Sequence, residues 1–454
     1  MSELKLLALN GFLGYGYELE SLKAGLEAGA EMIGADAGST DAGPFYLGSG
    51  RQLVKTAQVE RDFSHALQAA RGRGIPLVIG SAGTAGGEPH LHSLLEVVRR
   101  SAERQHQHFK LAFIHAEIEL ELVLRALEEK RIEPMPGVPP LTAQEVRQTT
   151  RIVGQMGSEP FIRAFKAGAE VIIAGRACDA SVFAALPIMQ GYDAGLALHL
   201  AKVIECGALC ARPPSAGDSM LGTIRDDHFT VRALNPLRRV SPESVASHSL
   251  YEQPDPNRFE EPEGSLDLSG AEYETAPDGS VRVSGSRFLP RSGGITIKLE
   301  GARLEGYRSV TVAGVRDFKV LAHLEEIEAE TRGMVERNLT DEMVREGYRL
   351  LFRYYGCNAV LGENEPLSER HGHEAGVLIE AIASTQEAAD TVLALARSSF
   401  LHCSFPGRST TAGNLAFPFS PSDLSTGQVY SFSIYHLLHG ADQQRLFPIE
   451  YEQI

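Results

Sequence analysis

The chain has 454 residues, 43% hydrophobic and 22% charged, ordinary globular values that at this length predict two or three lobes. Lysine and arginine number 43 against 59 aspartate and glutamate, a formal charge of −16, which argues against nucleic acid and anionic membrane surfaces as partners because both are repelled over most of the surface. Five scattered cysteines argue against a disulfide framework, and without a bilayer-length apolar run or a basic, cleavable leader a soluble cytoplasmic protein is expected.

From the N-terminus, short apolar runs at 4–9, 31–35, 76–79, 111–114 and 171–174 alternate with segments of helical periodicity at 18–29, 51–73, 91–105 and 118–131. Apolar runs without polar alternation suit parallel strands buried on both faces. Residues 1–215 are therefore expected to form an α/β domain with a doubly wound, mostly parallel sheet. The segments AGAEMIGA (28–35) and AGAEVIIA (167–174) resemble each other, and convergent helix–turn–strand chemistry is preferred over duplication. Residues 216–320, rich in proline, charge and turn dipeptides, read as a β-rich insert with short strands at 281–283, 294–300 and 309–315. Residues 321–454 read as a smaller α+β lobe, with helices at 322–335, 341–354 and 386–398, a strand at 375–383 and a closing segment at 428–438.

In an open parallel sheet, ligands bind outside the carboxyl ends of the strands. The loops expected there are NGFLGYG (10–16), DAGSTDAGP (36–44), GSAGTAGG (80–87), HAEIE (115–119) and AGRACD (174–179). Turns need glycine, but five successive loops carrying this many polar groups point to a small-molecule site. Asp36, Asp41, His115 and Asp179 are the candidate acid–base residues, and Asn10, Ser39, Thr40, Ser81, Thr84 and Arg176 the candidate binding residues. Arg176, just after a buried strand, needs an anion, either a substrate carboxylate or phosphate or an internal partner such as Asp179. Gly14 and Gly16 lack the third glycine of a dinucleotide fingerprint. Cys178 reads as packing ahead of nucleophile, and no G-x-S-x-G elbow follows a strand. His115, Glu117 and Glu119 alternate at period two and are the metal-ligand candidates if the strand runs on. A loop at 403–414 offers Arg408, Ser409, Thr410 and Asn414 as an anion clamp from the second lobe.

Together GADAGSTDAGPFYLGSG (34–50), IGSAGTAGGEPHL (79–91), AGRACDASVFAALP (174–187) and PGRSTTAGNLAFPFSPSD (406–423) resemble the acyclic terpene utilisation (AtuA-type) family. The resemblance implies a catabolic setting in which branched or terpenoid acids are degraded as carboxylates or CoA esters. Longer relatives carry a further small domain after this region, which implies a small partner subunit where that domain is separate. The expected function is hydration or elimination next to a carbonyl, with Asp36 or Asp41 as base, His115 as acid, and Arg176 or Arg408 holding the carboxylate. Backbone donors at 83–87 are expected to hold the oxyanion. A metal-dependent hydrolase and a non-catalytic subunit are the alternatives. A divalent metal is the one cofactor considered, CoA enters only as part of a substrate, and a homo-oligomer is expected.

Overall fold

The unalternating apolar runs of the N-terminal half become strands because each of their faces meets a separate layer of helices. The computed structural model describes residues 3–250, 255–367 and 372–454. The chain divides into two units, Met1–Arg303 with Phe432–Ile454, and Leu304–Ser431. In order, the first unit runs β1 (Leu4–Ala8), α1 (Leu19–Glu27), β2 (Met32–Asp36), α2 (Pro44–Ser49), α3 (Thr56–Arg73), β3 (Leu77–Gly80), α4 (Glu88–Gln105), β4 (Lys110–Ile114) and α5 (Leu120–Glu128). It continues with β5 (Ile132–Pro134), α6 (Ala143–Gln148), β6 (Arg151–Gly154), α7 (Glu159–Lys166), β7 (Val171–Ala174), α8 (Asp179–Met189) and α9 (Ala194–Ile204). Then come β8 (Met220–Ile224), β9 (Phe229–Ala233), α10 (Pro242–Ser249), β10 (Arg258–Glu261), β11 (Gly264–Asp267), β12 (Glu272–Thr275), β13 (Val281–Ser284) and β14 (Arg287–Pro290). The chain enters the second unit within β15 (Ile295–Val315). That unit holds α11 (Phe318–Leu321), α12 (Leu324–Asn338), α13 (Asp341–Glu346), β16 (Tyr348–Tyr355), β17 (Ala375–Ala383) and α14 (Gln386–His402). It returns to the first within β18 (Asp423–Ala441) and ends on α15 (Gln443–Leu446) and β19 (Ile449–Gln453).

In the first unit β1, β2, β3, β7 and β4 lie side by side in that order, all parallel. β8, β9, β13 and β12 continue the sheet beyond β1 and β19 continues it beyond β4, each joined antiparallel, giving a mixed ten-stranded sheet. The segment read as a β-rich insert thus lends four strands to the large sheet, while β10, β11 and β14 form a small antiparallel sheet of their own. Alternate residues of the parallel strands enter different cores. Leu6, Ala8, Ile172 and Ala174 pack with α5, α7, α8 and α9 through Val123, Phe161, Phe183 and Leu200. Leu7, Ile33, Ile79 and Ile173 pack with α1, α3 and α4 through Leu22, Phe63 and Leu94. Burying a side chain of this size contributes about 1.5–3 kcal/mol, so a one-residue slip, which exchanges the two faces, is strongly opposed.

In the second unit β17 pairs antiparallel with β16 and with residues 307–315 of β15. Val377, Ile379 and Ala381 meet Ile327 and Val335 of α12 and Val392, Leu393 and Phe400 of α14. The helix predicted over 341–354 is half strand. α13 stops at Glu346, Gly347 takes φ +79°, and YRLLFRYY continues as β16 with Leu350 and Tyr354 in the core. The tyrosines, phenylalanine and period-two burial of that stretch are strand chemistry, outweighing the apolar spacing that suggested a helix. Among the described residues no helix is long and apolar enough to cross a membrane.

Candidate active site

β2, β3 and β7 are adjacent and parallel, so their carboxyl ends emerge along one edge of the sheet. The three loops that follow are locked together by backbone contacts. Thr84 N donates to Ala37 O at 3.0 Å, Ser81 N to Gly175 O at 3.1 Å, and Arg176 N to Gly86 O at 3.1 Å. Two glycines permit this. A Cβ on Gly38 would lie 2.1 Å from Thr84 O, and one on Gly86 would lie 2.1 Å from Arg176 N. Thr84 holds φ +95°, a strained conformation for a β-branched residue, and its Oγ1 accepts from Leu53 N at 2.9 Å. The backbone N–H groups of Thr84 and Gly86, expected to receive an oxyanion, are engaged with Ala37 and Ala82 carbonyls.

A buried set of charges sits on this platform. Arg176 donates through Nε to Glu300 at 2.8 Å, and through Nη1 to Ser81 Oγ at 3.3 Å, Ala177 O at 3.0 Å and Asp179 Oδ1 at 3.5 Å. The other oxygen of Glu300 pairs with Lys298 Nζ at 2.9 Å. Burial alone would push the Glu300 carboxyl up, but Arg176 and Lys298 hold it at about 2. Asp36 accepts from Gly38 N at 3.1 Å through Oδ2, while its buried Oδ1 has no partner. Burial, reinforced by Asp179, holds the Asp36 carboxyl well above the ordinary carboxylate range, against the pull of Arg176. Asp179 is likewise pushed up to about 7 by burial and by Glu205. Asp36 is buried, whereas the Asp179 side chain is 32% exposed. The accessible member of the pair is therefore Asp179.

Beside the pair lie Lys202, Glu205 and Glu261, which the sequence reading did not single out. Lys202 pairs with buried Glu205 at 2.9 Å, and Cys206 donates to the other Glu205 oxygen at 3.2 Å. Cys178 donates to Glu261 at 2.9 Å, and burial raises Glu261 to about 7. Burial and these carboxylates push both thiols up, so neither is held as the thiolate that nucleophilic attack requires. Further along the loop that follows β2, Thr40 and Asp41 line a cleft of about 370 Å³ whose walls include Val138, Arg303, Phe432, Ile434 and Tyr435. The negative charge of Asp41 contributes to the upward shift of Asp179. Lys298 lies over the Tyr435 ring at 4.4 Å, which links the cleft wall through Glu300 to Arg176. Ser39 Oγ donates to Asp41 Oδ2 at 3.0 Å and accepts from Asp41 N at 3.2 Å, shaping the turn at the rim.

Other predicted residues are placed apart from this pair. Asn10 donates to Gly16 O at 3.2 Å and to Asp62 Oδ2 at 3.3 Å, an oxygen that also collects the Gly14 and Gly16 N–H groups. Asn10 and the unforeseen Asp62 thus hold the first loop in shape. β4 ends at Ile114 and α5 begins at Leu120. His115 is held between Glu88 at 2.8 Å and Glu450 at 3.2 Å, with its pKa raised chiefly by the Glu88 hydrogen bond. Glu117 accepts from Arg151 Nε and Glu88 N, each at 2.9 Å, and Glu119 is exposed ahead of α5. Among the described residues no group of three or more His, Cys, Asp or Glu is arranged to hold a metal ion. In the second unit Arg408 donates to the carbonyls of His402, Cys403 and Ala412, and Asn414 to those of Phe400 and Cys403. Ser409 and Thr410 are exposed beside them.

The family model described as "Acyclic terpene utilisation family protein AtuA" matches residues 54–218 and 233–420. No curated protein and no solved structure matches the chain. The two matched segments cover most of the sequence and take in the Ser81, Thr84, Arg176 and Asp179 positions of the site. The chain belongs to the acyclic terpene utilisation AtuA family.

Proposed function

We infer from family membership that the chain takes part in acyclic terpene utilisation. We propose that the first unit is a lyase or hydratase that moves a proton next to the carbonyl of a branched carboxylic acid or its CoA ester. The observation that carries this reading is the Asp36–Asp179 pair, two carboxyls drawn up in pKa at the carboxyl ends of parallel strands. A carboxyl near neutrality takes a proton and gives it back at ordinary pH. Asp179 is the accessible one. It removes the α proton and returns a proton to the leaving hydroxyl on the same face, so the acid role passes from His115 to Asp179. Asp36, behind it, is a positioning residue. Arg176, occupied by Glu300, tempers the charge of the pair and does not grip substrate. Arg303, in the cleft wall with Thr40 and Asp41, holds the substrate carboxylate, and Val138, Phe432 and Ile434 receive the apolar chain. The doubly wound reading supports the location. The helix after β3 packs on one face of the sheet and the helix after β7 on the other, so the gap between those two strands is a switch point.

The test is exchange of the α proton of branched 3-hydroxy acids and their CoA esters with deuterated water, followed by NMR, with or without net turnover. Asp179→Asn is expected to slow exchange by at least about 100-fold. Exchange as fast as in the parent chain sinks the assignment.

A further inference from the structure

The second unit contains a cleft that the reading of the first unit does not use. It has a volume of about 530 Å³ and is lined by Arg316, Lys319, Arg408, Ser409, Thr410 and Phe318 among others, within the range of small-molecule pockets. On a chain of formal charge −16, an anion is drawn only to places where local cations reverse the field. This cleft gathers three, and what holds them is informative. Lys319 Nζ donates to Gly407 O at 3.1 Å, and Arg408 donates to the carbonyls of His402, Cys403 and Ala412 at 2.7–2.8 Å. Among the described residues neither has a carboxylate within ion-pair distance. Carbonyl oxygens orient a cation without cancelling its charge, so both keep theirs for a ligand. The third, Arg316, meets Glu374 at 3.5 Å with both side chains largely exposed, a pairing of little strength. Asp317 in the wall uses its carboxylate to cap α11, accepting from Lys319 N and Val320 N.

The hydroxyls suit the same ligand. Thr410 Oγ1 accepts from Ala412 N at 3.1 Å, which leaves its O–H to donate outward, and Ser409 beside it is exposed. The aromatic residue adds a second requirement. Phe318 is 75% exposed, and it stands between two of the cations in sequence and lines the same cleft. A ring beside a cationic groove is the arrangement by which a flat base is stacked while its phosphates are neutralised. We infer that the second unit binds a nucleotide, its phosphates on Lys319, Arg408 and the Ser409–Thr410 hydroxyls and its base on Phe318. This does not rest on the acid–base reading of the first unit, and the test reads binding alone, so either fails without the other.

The experiment is calorimetric titration of the full chain with ADP, inorganic pyrophosphate and adenosine at low salt. ADP is expected to bind saturably and more tightly than either fragment. Lys319→Glu is expected to weaken ADP and pyrophosphate by about tenfold or more. Phe318→Ala is expected to weaken ADP several-fold and leave pyrophosphate within about twofold. Phe318 is exposed and Lys319 half-buried, and a melting curve matching that of the parent chain establishes that each variant is folded. Absence of saturable binding by ADP and pyrophosphate at millimolar concentration overturns the site, as does binding indifferent to Lys319→Glu. Pyrophosphate binding as tightly as ADP, with no effect of Phe318→Ala, overturns the nucleoside half and leaves a phosphate site.

Discussion

Asp179 combines a pKa raised to about 7, chiefly by burial, with a half-buried side chain that keeps 32% of its surface exposed, and the causes of that shift are separable by mutation. After burial, the largest upward influence is Glu205, while Arg176 and Lys202 pull the other way. Replacing Glu205 by Gln removes the repulsive charge, so Asp179 ionises more easily. If Asp179 is the base, the limb of the pH–rate profile near 7 moves to lower pH in Glu205→Gln, while Asp179→Asn abolishes it. A Glu205→Gln profile superimposable on that of the parent chain contradicts this account. Residue-level legibility was uneven for a simple reason. Asp36, Ser81, Arg176 and Asp179 stand at or just after the ends of apolar runs, so position alone marked them. Glu300, Lys298 and Glu205 lie in a strand and near a helix end, 124 residues beyond Arg176 in the case of Glu300, and no local pattern marks a carboxylate as the partner of a distant guanidinium.

At the scale of elements, the site depends on how closely three loops approach one another. Gly86 and Gly168 both take positive φ, +67° and +79°. A Cβ on Gly86 would lie 2.1 Å from Arg176 N, whereas one on Gly168 meets nothing within 4 Å. Gly168→Ala should therefore cost only the conformational penalty, about 1 kcal/mol. Gly86→Ala carries the same penalty and also forces the β3 and β7 loops apart, so it should lower the melting temperature much further and abolish proton exchange. Equal losses in the two variants would show that the close packing of the loops is not required. The repeated AGAE segments show why helix–turn–strand units were readable. In both copies the glutamate N–H donates to the carbonyl of a lysine on the adjacent strand, Glu31 to Lys5 and Glu170 to Lys110. Its carboxylate accepts from the same lysine N–H, at 3.1 and 2.9 Å. The same task at two sheet positions recruits the same residues. The helix–strand junction at Gly347 was harder to read, because tyrosine, leucine and arginine there satisfy both periods.

For the whole molecule, the parallel centre was legible because uninterrupted apolar strands need cover on both faces. The antiparallel extensions were not, because short alternating strands carry no mark of the sheet they join. The same assembly buries ionisable groups whose shifts oppose one another, and this fixes how stability depends on pH. Asp179 and Glu261 are raised to about 7, and His115 is raised by Glu88. A raised pKa in the folded state contributes stability that is present at low pH and lost as pH rises through that value. Glu300, lowered to about 2, acts in the opposite sense. Its contribution is complete above the ordinary carboxylate value and is lost as pH falls toward 2. Acidic residues outnumber basic ones, 59 to 43, so self-repulsion also grows on the alkaline side. The melting temperature should therefore peak near pH 5, close to the calculated isoelectric point of 5.5, and fall by at least about 4 °C by pH 8. The double variant Asp179→Asn, Glu261→Gln keeps the low-pH side and flattens the fall above pH 5, because its amides have no proton to lose. A melting temperature that rises from pH 5 to 8 in the parent chain, or a double variant with the same slope, would show that these carboxyls are ionised at no cost in the folded state and would remove the basis for Asp179 as the acid–base group.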